Sequence, residues 1–153
     1  MVRQLSGALV ILLVAAASAL ANDPVPARPP ADPDLAAARA RIEASDFTGA
    51  AAVMHKAIGR DPGNADYHNL LAYSIRKGSK PDMDLVFKHY TEALRIDPKH
   101  RGAHEYIGEA YLMIGNLPKA KEHLAALDKL CFFSCGEYRD LKRAIERYEA
   151  TKK

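Results

Sequence analysis

The sequence predicts an all-α fold, a short right-handed solenoid of three helix-turn-helix pairs that ends in a capping helix. From Ala31 onward apolar residues recur with helical spacing, and no strand-like alternation interrupts them. Two segments echo each other, AIGRDPGN at 57–64 and ALRIDPKH at 93–100, and in both a helix end is stopped by an Asp-Pro pair. A repeat of this length is typical of stacked helix pairs, which bury their apolar faces only against neighbouring pairs.

Residues 1–21 are predicted to be a secretory signal peptide. Arg3 supplies the positive charge, and an apolar stretch follows from Leu9 to Ala17. The small residues of Ala-Leu-Ala at 19–21 form a cleavage site before Asn22. An uncleaved membrane anchor is the alternative, but the apolar run is shorter than the roughly 20 residues that a spanning helix needs. The alanine-rich segment is typical of bacterial signals, so we expect a periplasmic protein with no stable membrane insertion after cleavage.

A proline-rich linker is predicted at residues 22–32. Five of the nine prolines lie between Pro24 and Pro33, and such a segment favours an extended polyproline conformation without core contacts. A polyproline recognition motif is the alternative interpretation. The helical domain is then expected to cover residues 33–150.

Three copies of the repeat divide this domain, at about 31–64, 64–100 and 101–133, and the capping helix follows at 135–150. The third and clearest copy contains His104, Ile107, Gly108, Tyr111, Gly115, Ala120, Leu124 and Phe132. The second contains Tyr67, Leu70, Leu71, Ser74, Val86, Tyr90, Ala93 and Pro98, and the more degenerate first contains Ala37, Ala38, Phe47, Ala50, Met54, Ala57 and Pro62. This pattern resembles the tetratricopeptide repeat (TPR) family over roughly residues 31–132, although Phe132 stands where the family has proline.

Helix boundaries in the last third of the chain are predicted from capping residues. Asn116 is expected to cap a helix that tolerates Pro118 in its first turn. Ser134 and Glu137 are spaced as a capping box for the last helix. That helix carries an apolar stripe on one side, formed by Tyr138, Leu141, Ile145 and Tyr148.

Cys131 and Cys135 are the two cysteines of the chain, in the sequence CFFSC. In an oxidising compartment they are expected to form a disulfide, which a helix break between them would make possible. Copper binding or thiol chemistry is the alternative, because two soft thiolates suit Cu(I) and a helix N-terminus lowers a thiol pKa. Inert thiols are the third interpretation.

No pattern of the sequence points to an enzyme, a metal site or a cofactor. His100 and His104 are four residues apart, but a closed zinc site needs four ligands and no third is evident, so packing histidines are expected. His89 and His123 occupy equivalent positions in successive second helices. The formal net charge of +3 is spread along the chain and Trp is absent, which argues against nucleic-acid binding.

The family resemblance implies a concave face, lined by the first helix of each pair, that binds a peptide or helix of a partner protein. Mapped by the repeat pattern, the groove residues are Arg39, His68, Arg76, Glu105, Glu109 and Met113. Chaperone-binding members of the family use a Lys/Arg/Asn clamp for a carboxylate, and glutamates replace it here. A mixed or basic partner segment is therefore expected.

Taken together, these patterns predict a non-catalytic periplasmic adaptor or scaffold that binds a protein partner, in a setting such as envelope or cytochrome assembly. The alternative hypothesis is a copper- or thiol-handling accessory protein that uses the CFFSC motif.

Overall fold

The computed structural model describes residues 32–133 and 135–152, which form seven α-helices and no strand. The helices are α1 (Pro33–Glu43), α2 (Phe47–Arg60), α3 (Ala65–Lys77), α4 (Met83–Ile96), α5 (Arg101–Met113), α6 (Leu117–Leu130) and α7 (Gly136–Ala150). The expected signal peptide and residues 22–31 of the expected linker lie outside the described residues. Asp32, predicted as the last linker residue, is instead the N-cap of α1, where its carboxylate accepts hydrogen bonds from two backbone amides.

The helices stack in chain order, and their contacts are local. Among the described residues, successive odd-numbered helices contact each other, in the pairs α1 with α3, α3 with α5, and α5 with α7. The even-numbered helices contact only the helices on either side of them in the chain. The odd-numbered helices therefore share one side of the stack, which we call the inner face. This arrangement confirms the predicted all-α solenoid of helix pairs with a final unpaired helix.

Side-chain caps explain where most of the helices begin. Asp46, Asn64, Asp82, His100 and Asn116 each accept a hydrogen bond from an amide in the first turn of the helix that follows. The cap predicted at Asn116 is among them. A cap of this kind satisfies one of the amides that a helix start leaves without a partner.

The capping box predicted for the start of α7 includes Ser134, which lies outside the described residues. The helix begins at Gly136 with Cys135 as its N-cap, and the Cys135 side chain makes no capping hydrogen bond. Glu137, the other predicted member, faces Arg101 across 3.6 Å. The turn before α7 runs from 131 to 135 and is one residue longer than the Asp-Pro turns at 61–64 and 97–100, which shifts the cap position from 134 to 135.

Two of the turns within helix pairs require left-handed backbone. Gly115, between α5 and α6, has a φ of 79°, and Ser45, at the equivalent point between α1 and α2, has a φ of 60°. The two turns share their hydrogen bonds, since the amides of Ser45 and Gly115 each bond to the carbonyl oxygen three residues earlier. A residue with a Cβ is strained in this conformation, so Ser45 is the less suitable of the two.

Three clusters of buried side chains form the core, one for each junction along the stack. Their members include Met54, Tyr67 and Leu71 in the first, Val86, Tyr90 and Ile107 in the second, and Leu127, Leu141 and Ile145 in the third. Of the residues that mark the first copy, Ala37 is exposed, and the buried positions of α1 are Leu35 and Ala38. The spacing of three residues places these two on one helix face, and Ala37 lies outside it.

The capping helix is seated by one close contact. A Cβ on Gly108 of α5 would lie 2.6 Å from a methyl carbon of Leu141, which is fully buried on α7. Glycine at this position therefore allows α7 to approach α5.

None of the helices within 32–133 and 135–152 combines the length and the apolar character needed to cross a bilayer.

Candidate functional site

A layer of arginine and tyrosine side chains crosses the middle of the inner face. The guanidinium of Arg76 lies 5.5 Å from the ring centre of Tyr73 and 5.8 Å from that of Tyr106, within the range of a cation–π contact. It also donates hydrogen bonds to the hydroxyl of Tyr90 at 3.3 Å and to the Glu109 carboxylate at 2.8 Å. Arg76 is 8% exposed, so this predicted groove residue organises the face from beneath rather than projecting into solvent.

On one side of this layer lies an acidic depression between α5 and α7. Its volume is about 280 Å³, and it is lined by Glu105, Glu109, Asp140, Arg143 and Arg147. Glu105 forms its most buried part. Burial raises the pKa of the Glu105 carboxyl to about 8, and the negative charges of Glu109, Asp140 and Glu137 act in the same direction.

On the other side lies a more apolar depression formed by α1, α3 and α5. Its volume is about 210 Å³, and its lining residues are Arg39, Ile42, Glu43, Leu70, Tyr73 and Tyr106. The rings of Tyr73 and Tyr106 are 4.8 Å apart and separate the two depressions. Tyrosine suits a binding surface, because its ring supplies apolar area and its hydroxyl remains available to water or a ligand.

The structure brings together five of the six predicted groove residues. Arg76, Glu109 and Met113 lie side by side, with the Met113 sulfur 4.0 Å from the Arg76 guanidinium and its side chain exposed. Glu105 and Arg39 line the two depressions that flank them.

His68 does not line the inner face, which corrects that part of the groove prediction. Its ring is buried and turned toward α4, and it borders a separate depression with residues of α2 and α4. The repeat pattern identifies the helix that carries His68 but not which side of that helix the ring leaves.

His68 belongs to a histidine pair that occurs twice. Its Nδ1 lies 3.0 Å from Nδ1 of His89, and its Nε2 lies 3.1 Å from the carbonyl oxygen of Pro62. One repeat later, Nδ1 of His104 lies 2.9 Å from Nδ1 of His123, and Nε2 of His104 lies 3.1 Å from the carbonyl oxygen of Pro98. The signal in the sequence for these pairs is a histidine six residues after the proline of each Asp-Pro turn.

The proline carbonyls determine how the protons are distributed in these pairs. A carbonyl oxygen can only accept, so Nε2 of His68 donates to Pro62 and Nδ1 of the neutral ring accepts from Nδ1–H of His89. The same reasoning makes His123 the donor to His104. Burial, together with the smaller effect of the neighbouring His68 and His104, lowers the pKa of His89 and of His123 to about 4. In each pair the second helix therefore carries a neutral ring at neutral pH.

Cys131 and Cys135 face each other across the turn between α6 and α7. Cys131 is the C-cap of α6 and Cys135 the N-cap of α7; their Cα atoms are 5.6 Å apart, and a disulfide joins them. A separation of this size is typical of disulfides. The bridge closes a turn that presents Phe132 and Phe133, which are 94% and 84% exposed.

Within the described part of the chain, no group of three or more His, Cys, Asp or Glu side chains is placed to hold a metal ion.

Comparisons of sequence lead to repeat proteins. No family model matches the chain. It is 31% identical over 98 residues to the inactive TPR repeat-containing thioredoxin TTL3 of Arabidopsis thaliana, a match that covers 63% of this chain and 13% of the relative. It is 26% identical over 98 residues to the TPR repeat-containing thioredoxin TTL4 of the same plant, covering 64% of this chain and 13% of the relative. The chain thus spans a small part of the length of these relatives.

Comparisons of structure show the fold. The TPR2B domain of yeast Sti1, solved as a complex with pHsp70, superposes with a TM-score of 0.68 at 16% identity, covering 77% of this chain and 94% of that one. The Yersinia enterocolitica type III secretion chaperone SycD, solved with a peptide of the translocator YopD, superposes with a TM-score of 0.64 at 16% identity, covering 78% and 92%. The chain therefore has the tetratricopeptide fold.

Proposed function

We propose that this chain is a small exported bacterial TPR protein, a non-catalytic scaffold that holds a peptide or helix of a partner protein on its inner face. The observation that carries the proposal is the pair of depressions on the odd-numbered helices, separated by half-buried tyrosines. Concave surfaces of helical solenoids are the usual binding sites of such proteins. The Sti1 domain was solved as a complex with pHsp70 and SycD with a peptide of the translocator YopD, which supports a peptide-binding role.

The chemistry of the inner face favours recognition over catalysis. Tyr73 and Tyr106 supply rigid contact area, Arg76 and Glu109 are already paired with each other, and Met113 adds an adaptable apolar side chain. A partner segment would bury these side chains without needing a covalent step. Envelope or cytochrome assembly is the setting in which we place this scaffold.

Selection of random peptides on the immobilised protein, followed by calorimetric titration, tests this binding surface. The double variant Arg39→Ala, Met113→Ala removes two exposed side chains of the inner face. This variant should bind the selected peptides roughly tenfold more weakly or worse, because a side chain that is important to an interface commonly contributes more than 1 kcal/mol to the binding free energy. The control is the double variant Lys88→Ala, Leu85→Ala, which removes an exposed cation and an exposed apolar side chain from α4. Equal loss in both variants, or in neither, would place binding elsewhere.

The proposed location and the state of the cysteines are tested by intact mass spectrometry of the protein recovered from the periplasm. We expect a chain that begins at Asn22 and is two hydrogens lighter than the reduced form, with no metal attached. Alkylatable thiols at Cys131 and Cys135, or copper retained in the native spectrum, would favour a copper- or thiol-handling role instead. A mass that includes residues 1–21 would contradict cleavage.

A further inference from the structure

The inner face holds one buried carboxyl group that has no partner. Glu105 is 8% exposed, and its carboxyl makes no hydrogen bond to the described residues. No Lys, Arg or His nitrogen of residues 32–133 and 135–152 lies within 4.0 Å of its carboxylate oxygens. The carboxyl oxygens of Glu105 are not fully enclosed, since Oδ1 of Asn69 is the one fully buried polar side-chain atom of the described residues that has no hydrogen bond. A nearly buried carboxyl without a protein partner still favours a ligand that supplies one.

The neighbours of Glu105 differ from it, because each has a cation of its own. The pairs are Glu109 with Arg76 at 2.8 Å, Glu137 with Arg101 at 3.6 Å, and Asp140 with Arg143. Within this network, no cation of the described residues fills the space in front of the Glu105 carboxyl. This space is part of the acidic depression between α5 and α7, whose volume is about 280 Å³.

We propose that this depression is a socket for a lysine or arginine side chain of the bound partner segment, with the carboxylate of Glu105 as its anionic contact. This inference rests on the proposed function, since it names the chemistry that the inner face recognises. The partner is therefore a basic peptide or helix that places one cationic side chain between α5 and α7 while its remaining residues lie on Tyr106 and Tyr73.

The charges around the socket favour a cation over an anion. The groups that face Glu105 from its own helix, from α3 and from α7 are Glu109, Arg76, Glu137, Asp140, Arg143 and Arg147. Three of these are carboxylates that disfavour ionisation of Glu105, and Arg76 opposes them only in part. These carboxylates attract an approaching cation and repel an anion, while the exposed Arg143 and Arg147 at the edge of the depression weaken that attraction.

A cationic side chain also fits better than a metal ion. The described residues contain no group of three or more ligating side chains placed for a metal, and the carboxylates beside Glu105 are occupied by arginines. A guanidinium or ammonium group needs only one buried carboxylate and brings its remaining donors to the rim.

Binding through this socket should release a proton. Because the pKa of Glu105 is raised to about 8 in the free protein, the carboxyl is largely neutral at neutral pH, and a bound cation holds it ionised. The affinity of a lysine-containing peptide should therefore increase between about pH 6 and about pH 8, by at most tenfold for each pH unit.

The test uses the peptides selected on the inner face and the variant Glu105→Gln, which keeps the shape of the side chain. We expect a lysine or arginine at one position of the selected peptides. Replacing it by methionine should weaken binding to the unaltered protein about tenfold and should change binding to Glu105→Gln little. The matched control is Glu122→Gln, which removes a surface carboxylate on α6 and should behave like the unaltered protein.

Failure of the socket and failure of the proposed function give different results. If peptides bind, depend on Arg39 and Met113, but show no coupling to Glu105, the socket is wrong and the binding surface stands. If binding does not depend on Arg39 and Met113, the binding surface itself is wrong.

A direct probe does not require a partner peptide. Carboxyl ¹³C NMR of the free protein should show Glu105 titrating well above an ordinary glutamate, and methylguanidinium chloride should lower this apparent pKa more than sodium chloride at equal ionic strength. An ordinary pKa of about 4 for Glu105 would overturn the proposal, because a cation of the chain such as Arg147 would then already fill the socket. So would equal effects of the two salts.

Discussion

Protonation of a histidine in either His–His pair should lower the stability of the fold. His89 and His123 each donate Nδ1–H to a partner ring and are held neutral by burial. When both rings of a pair are protonated, two N–H groups face each other at about 3 Å and the hydrogen bond is lost. Acid should therefore loosen the contact between the first and second helices of both pairs.

We predict that this effect appears as a loss of stability between about pH 6.5 and about pH 4.5. A histidine whose folded pKa is lowered to about 4 contributes stability that is fully present above its unfolded value of 6.5 and decreases as the pH falls toward 4. The double variant His89→Gln, His123→Gln cannot titrate at these positions, so its urea midpoint should decrease less over this range. Replacement of the exposed His55 by glutamine is the control, and an equally steep loss in the double variant would show that the pairs do not titrate as described.

Glu105 should act in the opposite direction over an overlapping range. Its folded pKa of about 8 lies above the unfolded value of 4.5, so the folded state holds an extra proton between these values and gains stability as the pH falls. We predict that Glu105→Gln is more stable than the unaltered protein at pH 8 and that the difference shrinks toward pH 5. Urea unfolding at the two pH values measures it; a constant difference would mean that the carboxyl is already ionised at pH 5.

The two left-handed turns can be tested by placing glycine at position 45 and serine at position 115. Ser45→Gly should stabilise the fold by about 0.5 kcal/mol, because glycine removes Cβ strain at φ 60° but adds freedom to the unfolded chain. Gly115→Ser should destabilise it by about 1 kcal/mol for the converse reason. Thermal unfolding of both variants checks the pair, and changes of the same sign would contradict this explanation.

At the scale of elements, the contact between α5 and α7 can be tested by two substitutions that compensate each other. Gly108→Ala alone should cost about 1–3 kcal/mol, since its Cβ would overlap the buried Leu141 side chain. Leu141→Ala alone should cost about 2–5 kcal/mol through the cavity that it leaves. In the double variant the new methyl group has room, so the total cost should be smaller than the sum. Additive costs in chemical denaturation would show that α7 shifts instead of packing as described.

In the structure a disulfide spans the turn between α6 and α7, where the other turns between pairs have side-chain hydrogen bonds. Asp61 and Asp97 accept from the amides of Gly63 and Lys99 in those turns, and Cys131 occupies the corresponding position in the third. The double variant Cys131→Ser, Cys135→Ser should lose about 2 kcal/mol or less, because so short a loop constrains the unfolded chain little. Reducing the unaltered protein should lower its free energy of unfolding by the same amount, which a shift of the urea midpoint measures. A midpoint that reductant leaves unchanged would contradict a structural bridge.

Sequence periodicity predicts the elements better than it predicts the orientation of their side chains. The repeat pattern, the Asp-Pro turns and the cap at Asn116 all depend on neighbouring residues, and the structure agrees with them. The N-cap position of α7 is Cys135, one residue beyond the predicted Ser134, because the preceding turn is one residue longer than its counterparts. His68 and His89 are 21 residues apart, on either side of a turn that differs in length from its counterpart in the next pair, so their contact is not visible in the spacing.

The positions of most predicted groove residues follow from the same periodicity, whereas their role in binding stays a prediction. Arg39, Glu105, Glu109 and Met113 lie on the inner face because the odd-numbered helices do. Arg76 is buried among tyrosines, and Glu105 lacks a cation while its neighbours Glu109 and Asp140 each have one. Both features depend on contacts between α3, α5 and α7 that no local pattern contains.

At the scale of the whole molecule, stability should be graded along the stack. The central helices α3 and α5 have neighbours on more sides than α1, which contacts only α2 and α3 among the described elements. We predict that hydrogen exchange, followed by mass spectrometry, is slowest in α3 to α5 and fastest in α1 and α2. Uniform protection across residues 32–152 would indicate a single cooperative unit.

The local contacts between helices also determine how the chain reaches its fold. In the described part of the chain no helix contacts one more than two places away, so native contacts close only short loops. Chains with such low contact order reach their native state rapidly, on the order of microseconds to milliseconds. Any adjacent pair of helices can serve as the nucleus, and growth then proceeds in either direction, which makes the slow search for distant partners unnecessary.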